Sequence, residues 1–188
     1  MQIRLACSTV KRVVVSNRNK QIQRGLDIPT LSVFRKKESN MRGCLQHDEN
    51  DCGLACILTI CKFLKICVDE TALRKNIFLG NDGLSLYGIT EVFRTIGMKS
   101  LAVEGTNIEL YSLLSEEKKP IIIMINEDDE YHYVVLYKTN NSKVFLWDPN
   151  KGKRIITKEY FDLIWSSYAI IITEILEIDR VVLPKKSV

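Results

Sequence analysis

Histidine and cysteine are the residues in this chain best able to build a nucleophilic centre, and histidine is scarce. It occurs only at His47 and His132, so any imidazole chemistry must use one of them. Of the six cysteines, Cys52 has the most suggestive setting. It follows Asp51, a residue type suited to capping a helix. Leu54, Ala55, Ile57, Leu58, Cys61 and Leu64 then recur at helical spacing. A thiol in the first turn of such a helix meets free backbone N–H groups and the positive end of the helix dipole, which favour a thiolate. Gly53 beside it leaves the sulfur approachable by a substrate backbone. Cys56, Cys61 and Cys67 read as small apolar core residues, and Cys44 is left without a role.

His132 opens the apolar run His132–Tyr137. A loop at Thr139–Asn141 and the run Lys143–Trp147 follow, then Asp148-Pro149. A three-residue hairpin loop with Asn141 left-handed pairs positions 138 and 142. That register sets His132 directly opposite Asp148 on one face, close enough for the carboxylate to accept an imidazole N–H. A slip of one residue would separate them onto opposite faces. Gln46, six residues before Cys52, could donate its amide to a developing oxyanion beside the Cys52 backbone N–H.

Zinc is the competing use of Cys44, His47, Cys52 and Cys56. Their spacing matches no paired-knuckle pattern, and two of them would have to converge from one helix. The Gly80–Gly83 turn lacks the Lys-Ser/Thr ending of a phosphate loop. The reading therefore calls for no metal and no cofactor.

The elements that must position these side chains follow from periodicity. Helices are expected from Asp51 onward, at Glu70–Ile77, at Tyr87–Ile96 with Gly97 ending it, and near Ile108–Leu114. A strand is expected at Lys99–Glu104. Beyond Pro120 the pattern changes to strands at Ile121–Ile125, His132–Tyr137, Lys143–Trp147, Arg154–Ile156 and Tyr168–Ile175. Early helices followed by consecutive antiparallel strands define an α+β fold.

The chain has 188 residues, 46% of them hydrophobic and 27% charged, which excludes a wholly disordered or fibrous protein. No run approaches the roughly 18 apolar residues of a membrane span, and no secretory h-region is visible. The cysteines are thus expected to be reduced, in a cytoplasmic protein. The net charge of +4 is unevenly placed. Residues 1–43 hold 10 Lys/Arg against 2 Asp/Glu, and residues 44–188 hold 17 against 21. No basic folded face is left for nucleic acid. Residues 1–40 are expected to form a basic, disordered extension. A transit peptide, or sequence upstream of a start at Met41, fits their composition as well.

The segment Gln46-His-Asp-Glu-Asn-Asp-Cys-Gly-Leu-Ala-Cys56 resembles the N-terminal motif of the double-glycine leader peptidases. These are papain-like domains at the front of bacteriocin- and peptide-exporting ABC transporters. His132–Leu136 and Asp148-Pro149 resemble the second and third motifs of that family, in the same order. Tyr160-Phe161 and Trp165 through Ile172 resemble its closing segment. The resemblance covers about residues 42–176. It implies a papain-like fold over 41–177, with N-terminal helices packed on a C-terminal antiparallel sheet, and a tail or linker at 178–188. It further implies Cys52 as nucleophile, His132 as general base and acid, Asp148 as orienting carboxylate and Gln46 as oxyanion donor.

The implied partners are a leader peptide ending in Gly-Gly, bound as an amphipathic helix, and a membrane ABC transporter, which would hold the chain at the inner face of the membrane. The membrane spans and nucleotide-binding domain that usually accompany the family, however, are absent from this sequence. Two other functions use the same residues. One is acyl transfer to an amine, and the other is a non-catalytic module that only docks leaders.

Overall fold

The computed structural model describes residues 11–12, 41–77 and 83–176. The expected extension at 1–40 lies outside these residues except for Lys11–Arg12. The tail at 178–188 and most of the Gly80–Gly83 turn lie outside them as well.

In chain order the elements are β1 (Lys11–Arg12), α1 (Cys52–Phe63), α2 (Glu70–Asn76), α3 (Leu86–Thr95), β2 (Met98–Glu104) and α4 (Asn107–Glu117). There follow β3 (Ile121–Glu127), β4 (Glu130–Thr139), β5 (Lys143–Asp148), β6 (Gly152–Thr157), α5 (Lys158–Ile164) and β7 (Trp165–Ile175). The strands form one sheet in the order β1-β2-β7-β3-β4-β5-β6. Its pairings are antiparallel except the short β1–β2 contact. The fold is α+β and papain-like, with its early helices packed on a later sheet.

Two features depart from simple sequential order. The last strand, β7, returns to lie between β2 and β3 rather than beside β6. The helix α5 was not anticipated. It is wedged directly between β6 and β7, and only Phe161 and Ile164 of it are buried.

Both faces of the sheet are covered, which explains the uninterrupted apolar run of β3. Ile122 and Met124 join Leu54, Ile57, Ile89 and Phe93 in a core beneath α1 and α3. Ile121, Ile123 and Ile125 join Leu110, Leu114, Phe161 and Ile164 in a second core beneath α4 and α5. A strand buried on both sides has no polar alternation to show. Thr106 and Glu109 close a reciprocal capping box on α4, and Thr157 caps α5.

The β4–β5 hairpin differs from the expected register. Its turn is held by Asn140, whose side-chain oxygen accepts from the N–H groups of Ser142 and Lys143 at 3.1 and 2.7 Å. Asn141 is not among the described residues with positive φ. Near the turn Thr139 pairs with Val144 and Lys138 with Phe145. Beyond a bulge at Tyr137, Leu136 pairs with Leu146 and Val135 with Trp147. His132 therefore lies diagonal to Asp148, not directly opposite. The bulge still governs the outcome: had Tyr137 taken a regular place in the ladder, the turn register would have set the two side chains on opposite faces.

Candidate active site

The loop before α1 is pinned to the sheet at several points. The Cys44 N–H donates to Thr59 Oγ1 at 2.8 Å, and the Cys44 carbonyl accepts from Trp147 Nε1 at 2.8 Å. The Gln46 N–H donates to the Pro149 carbonyl at 3.0 Å. Gly43 allows this approach, because a Cβ there would stand 2.4 Å from Trp147 Nε1. Gln46 is thus tied to the turn that follows Asp148, and its buried side-chain Oε1 has no hydrogen-bond partner.

Asp51 sits at the N-cap position, but its carboxylate does not cap the helix. It is fully buried and pairs instead with Arg74 Nη1 at 2.7 Å, while also accepting from the His47 N–H at 3.1 Å. A guanidinium 23 residues away turns the carboxylate from the helix through Oδ2, since a buried carboxylate needs a charged partner, and Oδ1 is left without a hydrogen-bond partner. The first-turn N–H groups of α1 are consequently not covered by that side chain. Cys52, the first residue of the helix, is half-buried. One turn on, Cys56 Sγ donates to the Tyr133 carbonyl at 3.3 Å, tying α1 to β4 next to His132.

His132 joins the two sides of the site. Its Nε2 lies 3.0 Å from Asp148 Oδ1. The Cys52 side chain stands close enough to the ring to favour its protonated form. With Nε2 occupied by the carboxylate, Nδ1 is the nitrogen left for sulfur. Burial alone would depress the imidazolium pKa, but the bond to Asp148 and the nearness of Cys52 prevail and push it up to about 9. Asp148 is fully buried. Burial would raise its carboxyl, yet the bonds from His132 and from the Asn150 and Lys151 N–H groups hold it well below the usual carboxylate range. The thiol, imidazole and carboxylate read from the sequence are thus brought into one connected array.

The residues weighed for zinc do not converge. His47 is exposed and faces Glu70 at 3.7 Å, and Cys56 is committed to Tyr133. Among the described residues no group of three or more His, Cys, Asp or Glu side chains is gathered for a metal. Burial pushes the Cys56 thiol well above its ordinary pKa and the Cys61 thiol up to about 12. Both are core residues. Cys67, by contrast, is exposed.

Sequence reasoning missed Arg154 and Glu127. Arg154 Nη1 donates to Asp148 Oδ2 at 3.1 Å and to Glu127 Oε2 at 2.9 Å, and Nη2 donates to Glu127 Oε1 at 2.6 Å. Parity in the strands carried a usable signal. Glu127 continues the inward series Ile121, Ile123, Ile125, and Arg154 pairs with buried Leu146.

This fold, with a thiol at a helix start beside an imidazole backed by a carboxylate, is that of a papain-like cysteine peptidase. A family model described as the Peptidase C39 family matches residues 41–175. The chain belongs to that family. It is 30% identical over 142 residues to the sublancin-168-processing and transport ATP-binding protein SunT of Bacillus subtilis, covering 75% of this chain and 19% of that protein. It is 32% identical over 121 residues to the lactococcin-G-processing and transport ATP-binding protein LagD of Lactococcus lactis, covering 64% and 17%. The chain thus spans about a fifth of the length of these curated relatives.

Among solved structures, the double glycine motif protease of an AMS/PCAT transporter in complex with its leader peptide aligns with a TM-score of 0.61. The identity is 21%, over 73% of this chain and 94% of that one. The peptidase domain of Streptococcus ComA aligns with a TM-score of 0.63 at 22% identity, over 71% and 98%. These comparisons favour neither the docking-only nor the acyl-transfer reading. No helix among the described residues is long and apolar enough to cross a membrane.

Proposed function

We propose that this chain is a cysteine endopeptidase that cuts the leader from a secreted peptide precursor after a Gly-Gly pair, on the cytoplasmic side of a membrane and in association with an ABC transporter. The observation that carries the reading is the gathering of Cys52, at the start of α1, beside His132, whose Nε2 lies 3.0 Å from Asp148 Oδ1. The relatives that process and transport bacteriocins support the substrate class and the transporter partner.

His132 takes the Cys52 proton through Nδ1 while Nε2–H stays on Asp148, giving a thiolate–imidazolium pair at the start of α1. The sulfur adds to the carbonyl carbon of the second glycine. Negative charge develops on the carbonyl oxygen, toward which the Cys52 N–H and the Gln46 amide donate. Collapse of this adduct breaks the C–N bond, and His132 gives its proton to the departing amine. Water, deprotonated by His132, then releases the leader and restores the thiol. A glycine pair suits a cleft too narrow for side chains.

Cys52→Ala should abolish cleavage of a double-glycine precursor, read by product mass, and leave the far-UV circular dichroism unchanged. Wild-type turnover in that variant would refute the nucleophile assignment.

A further inference from the structure

The carboxylate that orients His132 is itself held from behind. Glu127 of β3, His132 of β4, Asp148 of β5 and Arg154 of β6 stand on four adjacent strands, and the register sets all four on one face. Arg154 forks between the two acids, bridging Asp148 Oδ2 and both oxygens of Glu127. Glu127 also accepts from Tyr160 Oη at 3.0 Å and from Lys151 Nζ at 3.3 Å. These bonds, that from Arg154 foremost, hold the Glu127 carboxyl down to about 2. Arg154 and Glu127 are both mostly shielded from solvent, where charges act on one another more strongly than at an open surface.

Building on the proposed cysteine peptidase reading, we propose that Arg154, clamped by Glu127, is a positioning residue that fixes the Asp148 carboxylate and sets how strongly it attracts the imidazolium of His132. The backbone N–H groups of Asn150 and Lys151 reach only Oδ1, the oxygen shared with His132. Arg154 is the residue that holds Oδ2 and so fixes the carboxylate plane. Its positive charge also opposes proton retention by His132, and Glu127 partly cancels that charge. The charged and titratable groups around the ring are Cys52 from α1, Asp148 from β5, Arg154 from β6 and, behind them, Glu127 from β3. Lys151 and Tyr160 contact Glu127 from the outside.

This arrangement gives opposite signs for two substitutions. Arg154→Met removes the opposing charge and leaves Glu127 beside Asp148, so His132 should hold its proton to higher pH. Glu127→Gln leaves the Arg154 charge uncancelled, so His132 should lose its proton at lower pH. Each displacement should be about one pH unit. The double variant should return close to wild type. Proton NMR titration of the intact chain reads this directly, because there are only two histidines and His47→Gln assigns the other.

The readout needs no substrate, so failure of the peptidase reading would leave the titration interpretable. The basic limb of kcat/KM on a synthetic double-glycine leader peptide should follow the titration. Arg154→Lys should keep the limb near its wild-type position while lowering kcat, because charge is retained and the fork is lost. Coincident His132 titrations in wild type and Glu127→Gln would overturn the proposal, as would displacements of the same sign in both single variants. If Arg154→Met does not fold, Glu127→Gln alone decides.

Discussion

Replacing Asp148 by Asn tests the electrostatics of the site, together with the bond from Arg154, because the amide NH2 would face the guanidinium where Oδ2 accepted from it. The amide retains an oxygen for the N–H groups of Asn150 and Lys151, so the turn after β5 keeps its anchors. What disappears is the charge beside His132 Nε2 and the acceptor for Arg154 Nη1. The imidazolium is raised from 6.5 to about 9 in the folded chain, a difference of about 3 kcal/mol in favour of the charged ring. Asp148 and Cys52 share that effect. Assigning the larger part to the carboxylate gives about 2 kcal/mol, or roughly 30-fold in the population of the thiolate–imidazolium pair. We expect kcat/KM near neutral pH to fall at least that far in Asp148→Asn. Its basic limb should move down from about 9 by more than about one pH unit. Initial rates on a double-glycine precursor, taken from about pH 6 to about pH 10, would measure both quantities. A folded Asp148→Asn protein with a wild-type basic limb would refute the electrostatic argument.

Other outcomes follow from the same geometry. Because the folded-state pKa of His132 lies above its unfolded value, its contribution to stability is complete below about pH 6.5 and is lost as pH rises through about 9. Urea midpoints should fall across that window in wild type and stay flatter in His132→Gln. Arg74→Met should cost about 3 kcal/mol, because it strands the fully buried Asp51 carboxylate with a backbone N–H as its main support. A loss under about 1 kcal/mol by urea unfolding would contradict the pairing assigned to Asp51. Ser167 holds φ +70° between Trp165 and the rest of β7. Ser167→Gly should relieve that conformation for a net gain of about 0.5 kcal/mol, seen as a melting point about 2 °C higher. A lower melting point would show that the serine contributes more than its backbone costs.

Much of this architecture was legible in the sequence, for identifiable reasons. α1, α3 and the strands of the sheet announce themselves because each buries a periodic or continuous apolar set large enough to exceed local noise. Cys52, His132 and Asp148 could be connected because helix start, strand parity and hairpin closure each constrain where one side chain points. The features that escaped are those decided by tertiary partners. Asp51 looks like a cap until Arg74, distant in sequence, claims it. The turn closes three residues away from the expected register, because Asn140 rather than Asn141 holds it, and the bulge at Tyr137 brings the pairing beyond it to two residues away. α5 is seven residues wedged directly between β6 and β7, so its apolar residues merge with the strand pattern on either side. Glu127 and Arg154 resemble ordinary solvated strand residues unless their inward parity is followed to the sheet end.

The extra residue at Tyr137 makes the hairpin behave like a parity check. A single-residue insertion or deletion in β4 between Tyr137 and His132 would turn the side chains on the His132 side of it to the opposite face, carrying the imidazole away from its carboxylate and moving Tyr133 out of the core beneath α1 and α3. Such a protein would lose stability and activity together. The tip of the hairpin, by comparison, is free to lengthen, since residues added beyond Thr139 and Val144 leave the count behind them unchanged.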